Sequence, residues 1–280
     1  MSKYDTDLDY MLPLVDTSRE ELNEIIEEAD KIISDNRGNP EELATACLKK
    51  AQCLQKLIEI DLDDTEDAQK LIKNIIEKTL EIFPDMPGAL MQMGKMYYKT
   101  SKSEEGNIKK AINLYTKAIE VKSDYAAAYN NLGILYASEV YFRENNNFQD
   151  NLNKAINAYT EAVRIRSFDA IYYLNRGIAY SKLEKHEKAI DDFSGAIDYG
   201  SDEFKKKTLV FYLRGDEYLW VRNHEKAIDD FSESMRLIPD HIRSLLMRGN
   251  AYLGAGERDK AKADFDEYLR RKRLIEKKIP

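Results

Sequence analysis

The sequence predicts an all-α fold assembled from repeated helix pairs. Three observations lead there. Helix breakers are scarce: 280 residues contain only 12 Gly and 6 Pro, against 43% hydrophobic and 34% charged residues, a balance that favours helices. Apolar residues fall at helical spacing. Between Asp169 and Ile197, Tyr173, Gly177 and Tyr180 share one face, and after a polar turn Ala189, Phe193 and Ala196 share another. That pattern then returns along the chain. The small residues let two helices approach closely while the aromatic rings fill the space around them. Such a pair still leaves one apolar face open, so it needs a neighbour of its own kind.

In order, residues 1–16 read as an acidic tail, extended or disordered, with Tyr10, Met11, Leu12, Leu14 and Val15 around a helix-disfavouring Pro13. The tail is expected to cover the first helices or to enter a groove as a surrogate ligand. Thr17–Ser18 followed by Glu20–Glu21 is a capping-box signature. It opens a helix to about Asp35, ended by Asn36, Arg37 and Gly38. Asn39, Pro40 and Glu42 begin a second helix, with Pro at the first helical position, running to about Ile60. A third runs to Phe83 and stops at Pro84. Residues 17–86 thus form an N-terminal helix plus a degenerate helical repeat, and 87–280 form five regular units with a long C-terminal helix.

In those five units the small residue of the first helix recurs as Gly94, Gly133, Gly177, Gly215 and Gly249, at spacings of 39, 44, 38 and 34. A basic period of 34 with two helices per unit is a repeat-protein signature. The excess is expected in turns, near Lys102–Gly106, Tyr141–Gln149 and Glu203–Lys206, with the first two inserts side by side on one edge. The units also align at other positions. Tyr173, Gly177, Tyr180, Ala189 and Phe193 are matched by Phe211, Gly215, Tyr218, Ala227 and Phe231, then by Leu245, Gly249, Tyr252, Ala261 and Phe265; Ala196 adds a further small residue to its unit, and Pro239 stands where that unit has Ser201. Tyr129, Gly133, Tyr136, Ala155, Tyr159 and Ala162 match upstream, as do Leu90, Gly94, Tyr97, Ala111, Tyr115 and Ala118. On these residues the chain resembles the tetratricopeptide-repeat (TPR) family over at least 87–272. The resemblance implies an α-solenoid of helix-turn-helix repeats forming a right-handed superhelix, with first helices on the concave side.

A second rule emerges from comparing the units with one another. Where the first helix carries Arg176, Arg214 or Arg248, the second carries Asp192, Asp230 or Asp264. Where it carries Met93 or Leu132, the second carries Leu114 or Ala158. Charge goes with opposite charge and apolar with apolar. The two positions should face each other, with each Arg–Asp pair partly buried, an arrangement that lets a guanidinium grip a carboxylate bidentately.

Composition and motif content exclude several classes of function. A net charge of −8 argues against general nucleic-acid binding, which needs a basic surplus. No apolar run reaches membrane-spanning length, and MSKYDTDLDY lacks the order of a signal peptide. The expected location is cytoplasmic. Cys47 and Cys53 are six apart on a helix and are expected as separate buried thiols. There is no Walker-type loop, no HExxH and no Cys–His cluster, so no metal or cofactor is expected and the chain is expected not to be an enzyme. His186 and His224 occur in the same string, HEKAI, one per repeat, and read as packing or capping residues. Gly254–Ala255–Gly256 reads as a turn.

What remains is binding. The family's concave positions give Asn131, Ile171, Leu174, Asn175, Ile178, Tyr212, Asp216, Trp220, Leu246 and Asn250 as the expected peptide-binding groove. Asn131 and Asn175 could hold a peptide backbone, since an amide both donates and accepts. The carboxylate clamp of TPR co-chaperones needs Lys, Asn, Lys and Arg at positions where this chain has Asn130, Ile134, Leu209 and Leu213, so a chaperone-tail ligand is not expected. The expectation is a protein-protein interaction scaffold or adaptor for a peptide or helix. The alternative is a self-assembling module stacking through its solenoid ends as a homo-oligomer.

Overall fold

The computed structural model describes residues 18–35, 39–61, 66–100, 106–138 and 147–276. The expected tail and the inserts at 101–105 and 139–146 lie outside the described residues. Among the described residues there are fourteen helices and no strand. They are α1 Arg19–Asp35, α2 Pro40–Asp61, α3 Glu66–Ile82, α4 Pro87–Thr100, α5 Asn107–Val121, α6 Ala126–Tyr136 and α7 Phe148–Ile165. Then follow α8 Ala170–Lys182, α9 His186–Tyr199, α10 Asp202–Thr208, α11 Val210–Trp220, α12 His224–Leu237, α13 Ile242–Gly254 and α14 Arg258–Glu276. They pack as two compact units. The first runs to Leu135; the second holds Tyr136–Ser138 and the residues described from Asn147 onward.

Local chemistry sets the helix starts. At α1 the amide of Ser18 donates to Glu21 Oε2 at 2.7 Å and the amide of Glu21 donates to Ser18 Oγ at 3.2 Å, a reciprocal capping box. Asn39, Asn147, Ser201 and Asn223 cap α2, α7, α10 and α12 in the simpler way, each side chain accepting one early amide.

In the first unit α1 to α5 pack consecutively. Leu48, Ile72, Ile76, Ala89 and Met93 form one core, and Leu90, Ile108, Ala111, Tyr115 and Leu135 form the next. Cys47 and Cys53 are buried as free thiols in this unit, and burial pushes both up from the ordinary thiol range. In the second unit each helix pair packs on the next: α8 on α9, α9 on α11, α11 on α12, α12 on α13 and α13 on α14. Its cores centre on the fully buried rings of Phe193 and Phe231.

The glycine column is a matter of space. A Cβ at Gly94, Gly177, Gly215 or Gly249 would stand 2.5, 2.8, 2.9 or 2.5 Å from the ring of Tyr115, Phe193, Phe231 or Phe265. Only hydrogen fits between the two helices of each pair.

One expectation about the inserts is corrected. The residues added around Glu203–Lys206 are not a plain turn but part of α10, which Ser201 caps and which ends at Leu209 with φ 54°. The extra residues build a turn of helix, and the chain pays for the joint with a bulky residue in the left-handed region. The Gly254–Ala255–Gly256 segment does reverse the chain: Gly256 has φ +82°, while Gly254 ends α13. Gly254 also makes room for His224, whose ring would lie 2.3 Å from any Cβ there.

Candidate functional site

Three bidentate ion pairs tie the helices of the second unit together. Arg176 Nε and Nη2 donate to Asp192 at 2.8 and 2.7 Å; Arg214 to Asp230 and Arg248 to Asp264 repeat the geometry at 2.8 Å for both bonds. All three Asp carboxylates are buried. The remaining Nη1 of each Arg reaches back one repeat, to the hydroxyls of Thr160, Ser194 and Ser232 at 3.3, 2.9 and 3.0 Å. Those hydroxyls in turn donate to Ile156, Ile190 and Ile228 carbonyls in their own helices. The hydroxyl column escaped the sequence reading, although a Thr, Ser, Ser series one residue after Tyr159, Phe193 and Phe231 was there to be seen.

These pairs leave the exposed face of α8, α11 and α13 free for other residues. Tyr212, Asp216 and Trp220 are four apart on α11 and so share one stripe. Trp220 is 67% exposed, and one face of its indole stacks on the His186 ring, centroids 5.3 Å apart and planes within 6°. His186 is held from behind: its Nδ1 lies 2.7 Å from Glu217 Oε2, and the other oxygen of Glu217 accepts from Ser181 Oγ at 2.5 Å. Glu217 is 3% exposed and stands where the neighbouring units have Ala179 and Ala251. A charged residue in an apolar column was the signal that could have found it. The packing role expected for His186 thus has a specific form, and His224, its counterpart, packs against Gly254 instead.

Tyr212 stands edge-on to His241, centroids 4.9 Å apart, and is backed by Phe231 at 5.7 Å. Asp216 is half-buried between the two aromatics, and burial, then the neighbouring Glu217 charge, raises its carboxyl above the ordinary range. Arg243 and His186 are the cations that act on it.

The other expected groove residues fall in different settings. Leu174 is 5% exposed and belongs to the core with Phe193 and Val210, and Ile178 packs against that core. Asn175 and Leu246 are half-buried on α8 and α13, and Asn250 is exposed on α13. Asn131 belongs to the first unit, where its amide donates to Met91 Sδ at 3.5 Å. Ile171, 37% exposed, lines a separate cavity of about 460 Å³ with Phe168, Tyr199 and Phe204. Phe168 is 75% exposed there and meets Tyr199 edge-on at 5.4 Å. This cavity exists because α10 is inserted, so the regular repeat pattern gave no sign of it. Among the described residues no group of three or more His, Cys, Asp or Glu could hold a metal ion, and no helix is long and apolar enough to cross a membrane.

Family models match three of the helix pairs. A TPR-repeat model covers residues 103–139, and a tetratricopeptide-repeat model covers 170–199 and 242–273. Over those residues the chain is built of tetratricopeptide repeats. Solved structures agree at the level of fold. PilF of Pseudomonas aeruginosa aligns over 85% of this chain and 94% of its own at 20% identity and a TM-score of 0.60. MamA aligns over 71% and 98% at 23% identity and 0.57. YrrB, described as a TPR protein with an unusual peptide-binding site, aligns over 70% and 91% at 17% identity and 0.59. No curated protein matches the chain. Repeats of this kind support a protein-protein interaction scaffold.

Proposed function

We propose that this TPR protein is a non-enzymatic adaptor that takes an extended peptide or a helix across the exposed face of α8, α11 and α13. The observation that carries the reading is Trp220. A large apolar ring stands mostly in solvent on the first-helix face, yet is held in one orientation by the stack on His186 and by Glu217 behind it. An exposed aromatic is ordinary; an exposed aromatic held in place suits a binding anchor, because little side-chain entropy is left to lose. The YrrB precedent for peptide binding on this fold agrees with it.

A non-enzymatic role is supported by the wiring of the polar groups. Ser181, His186 and Glu217 make a Ser–His–acid set in composition only. Both the hydroxyl and the imidazole are bonded to the buried carboxylate rather than to each other, so the Ser–His contact of a nucleophilic triad is not made. A cytoplasmic location agrees with Cys47 and Cys53 buried as separate thiols. A second reading, self-assembly through the C-terminal end, has one observation in its favour: Leu269, Leu274 and Ile275 are exposed along α14.

The test is peptide selection by phage display on the full-length chain, followed by affinity measurement on the Tyr212→Ala, Trp220→Ala double variant. The adaptor reading expects selected peptides to lose affinity at least tenfold on the variant. Peptides that bind the variant equally well would remove this face as the site. Sedimentation at rising concentration separates the second reading: a mass that grows with concentration and reverts on Leu269→Glu, Leu274→Glu substitution supports self-assembly.

A further inference from the structure

The second unit buries four acids deeply, and each has a partner. Asp192, Asp230 and Asp264 are matched by arginines, and Glu217 by Ser181 and His186. Asp216 is the contrast. It is half-buried, yet among the described residues its carboxylate has no hydrogen bond and no ion pair. Resting on the reading of α8, α11 and α13 as the binding face, we infer that Asp216, flanked by Tyr212 and Trp220 on α11, receives a basic side chain, Lys or Arg, of the partner peptide.

The chemistry follows from what surrounds the carboxylate. Three residues spaced four apart put Tyr212, Asp216 and Trp220 in line, about 5–6 Å between successive Cβ atoms. A Lys or Arg stem laid over the exposed face of Trp220 would bury its methylenes while its head meets Asp216. The far side of the indole is already covered by His186, so one face alone is offered. Tyr212 is fixed by Phe231 and His241 and closes the other end. It also feels the Asp216 charge, which helps to raise its phenol.

The charged and titratable groups around the site are few. On α11 they are Tyr212 and Glu217; from α9 comes His186; from α13 and the turn before it come Arg243 and His241. Arg243 is exposed and pulls the Asp216 carboxyl down only in part, burial keeping it raised. The fold thus carries a partly desolvated carboxylate, compensated only in part, at its binding face. Such a group weakens the free protein and is relieved when a cation arrives. An acidic ligand side chain would meet repulsion there, and a neutral one would leave the cost in place, so the arrangement selects by charge.

The sole tryptophan of the chain reports on the site directly. The full chain is titrated, following Trp220 emission, with acetyl-Ala-Leu-Arg-Leu-Ala-amide, with its Lys twin and with a twin carrying citrulline, the neutral isostere of arginine. The inference expects the Arg and Lys peptides to bind about tenfold more tightly than the citrulline peptide, an advantage that shrinks as salt is raised. On Asp216→Asn the Arg peptide should fall to the citrulline affinity, while the variant melts no lower than the wild type, because the lost carboxylate was a burden to the fold. The peptide comparison needs only the wild-type protein, so a poorly behaved variant does not spoil it. Arg and citrulline peptides binding equally would overturn the basic-side-chain inference and leave the binding face standing. No emission change with any peptide would overturn both.

Discussion

Arg214 reaches both oxygens of Asp230 and, with its last nitrogen, the hydroxyl of Ser194 in the preceding repeat. Removing one side strands the other: Arg214→Ala leaves a carboxylate 5% exposed without its bidentate partner, at a cost of about 3–5 kcal/mol. Arg214→Met with Asp230→Leu is a different case. It copies Met93 and Leu114, the pair the first regular unit uses at the same two positions. Burial keeps the Asp230 carboxyl raised even beside the guanidinium, so the ion pair gives no great stability and the double variant should stay within about 1.5 kcal/mol of wild type. Urea unfolding of the two variants checks both figures, and a double variant as weak as Arg214→Ala would contradict the argument. Asp216 obeys the same electrostatics without a partner. An acid whose pKa is higher in the folded state binds more protons folded than unfolded, so the fold loses stability as pH rises through the interval between the two values. Asp216→Asn should therefore raise the unfolding midpoint at neutral pH. The gain should vanish below the ordinary carboxylate range, where wild-type Asp216 is protonated in both states.

At the scale of the helix pair, ring against glycine sets the spacing. Gly249→Ala puts a Cβ 2.5 Å from Phe265, and the phenyl ring cannot give way without moving α14. The expected cost is about 1–3 kcal/mol, and Gly249→Ala with Phe265→Leu should recover part of it, as thermal unfolding of both would reveal. The turn between paired helices has its own demand. Glu184, Arg222, Gly106 and Gly256 occupy equivalent positions, all with φ between 56° and 82°. This much was legible beforehand, because glycine, aromatic and alanine columns recur at a helical period and each has one physical use. The Arg–Asp partnership was legible for the same reason: two columns changed together. What the sequence hid was whatever broke the columns. DEFKKK reads as a polar insert, and only the cap at Ser201 and packing by Phe204 make it α10. Leu174 carries the same groove position as Tyr212 but turns out to be core, since an apolar side chain at that position can serve either face. The cavity of Phe168, Ile171, Tyr199 and Phe204 lies where the repeat is irregular, and an average repeat cannot describe it.

At the scale of the whole chain, two compact units each carry their own cores. Repeat arrays are held by nearest-neighbour contacts, and their cooperativity weakens with length. The second unit has three buried Arg–Asp pairs, each bridged to the preceding repeat by a hydroxyl, and two fully buried phenylalanines. In the first unit the corresponding positions of α4 and α5 are the apolar Met93 and Leu114. A substitution such as Arg248→Ala should therefore act on the second unit alone. The single Trp220 reports on that unit, whereas helical circular dichroism reports on both. In urea the fluorescence transition of Arg248→Ala should move to lower denaturant by the full effect of the substitution. The dichroism curve should move only in the part that belongs to the second unit, leaving a portion superimposable on wild type. Two probes that shift together by the same amount, in wild type and variant alike, would mean that the chain unfolds as one cooperative body and would refute this picture of separate stability.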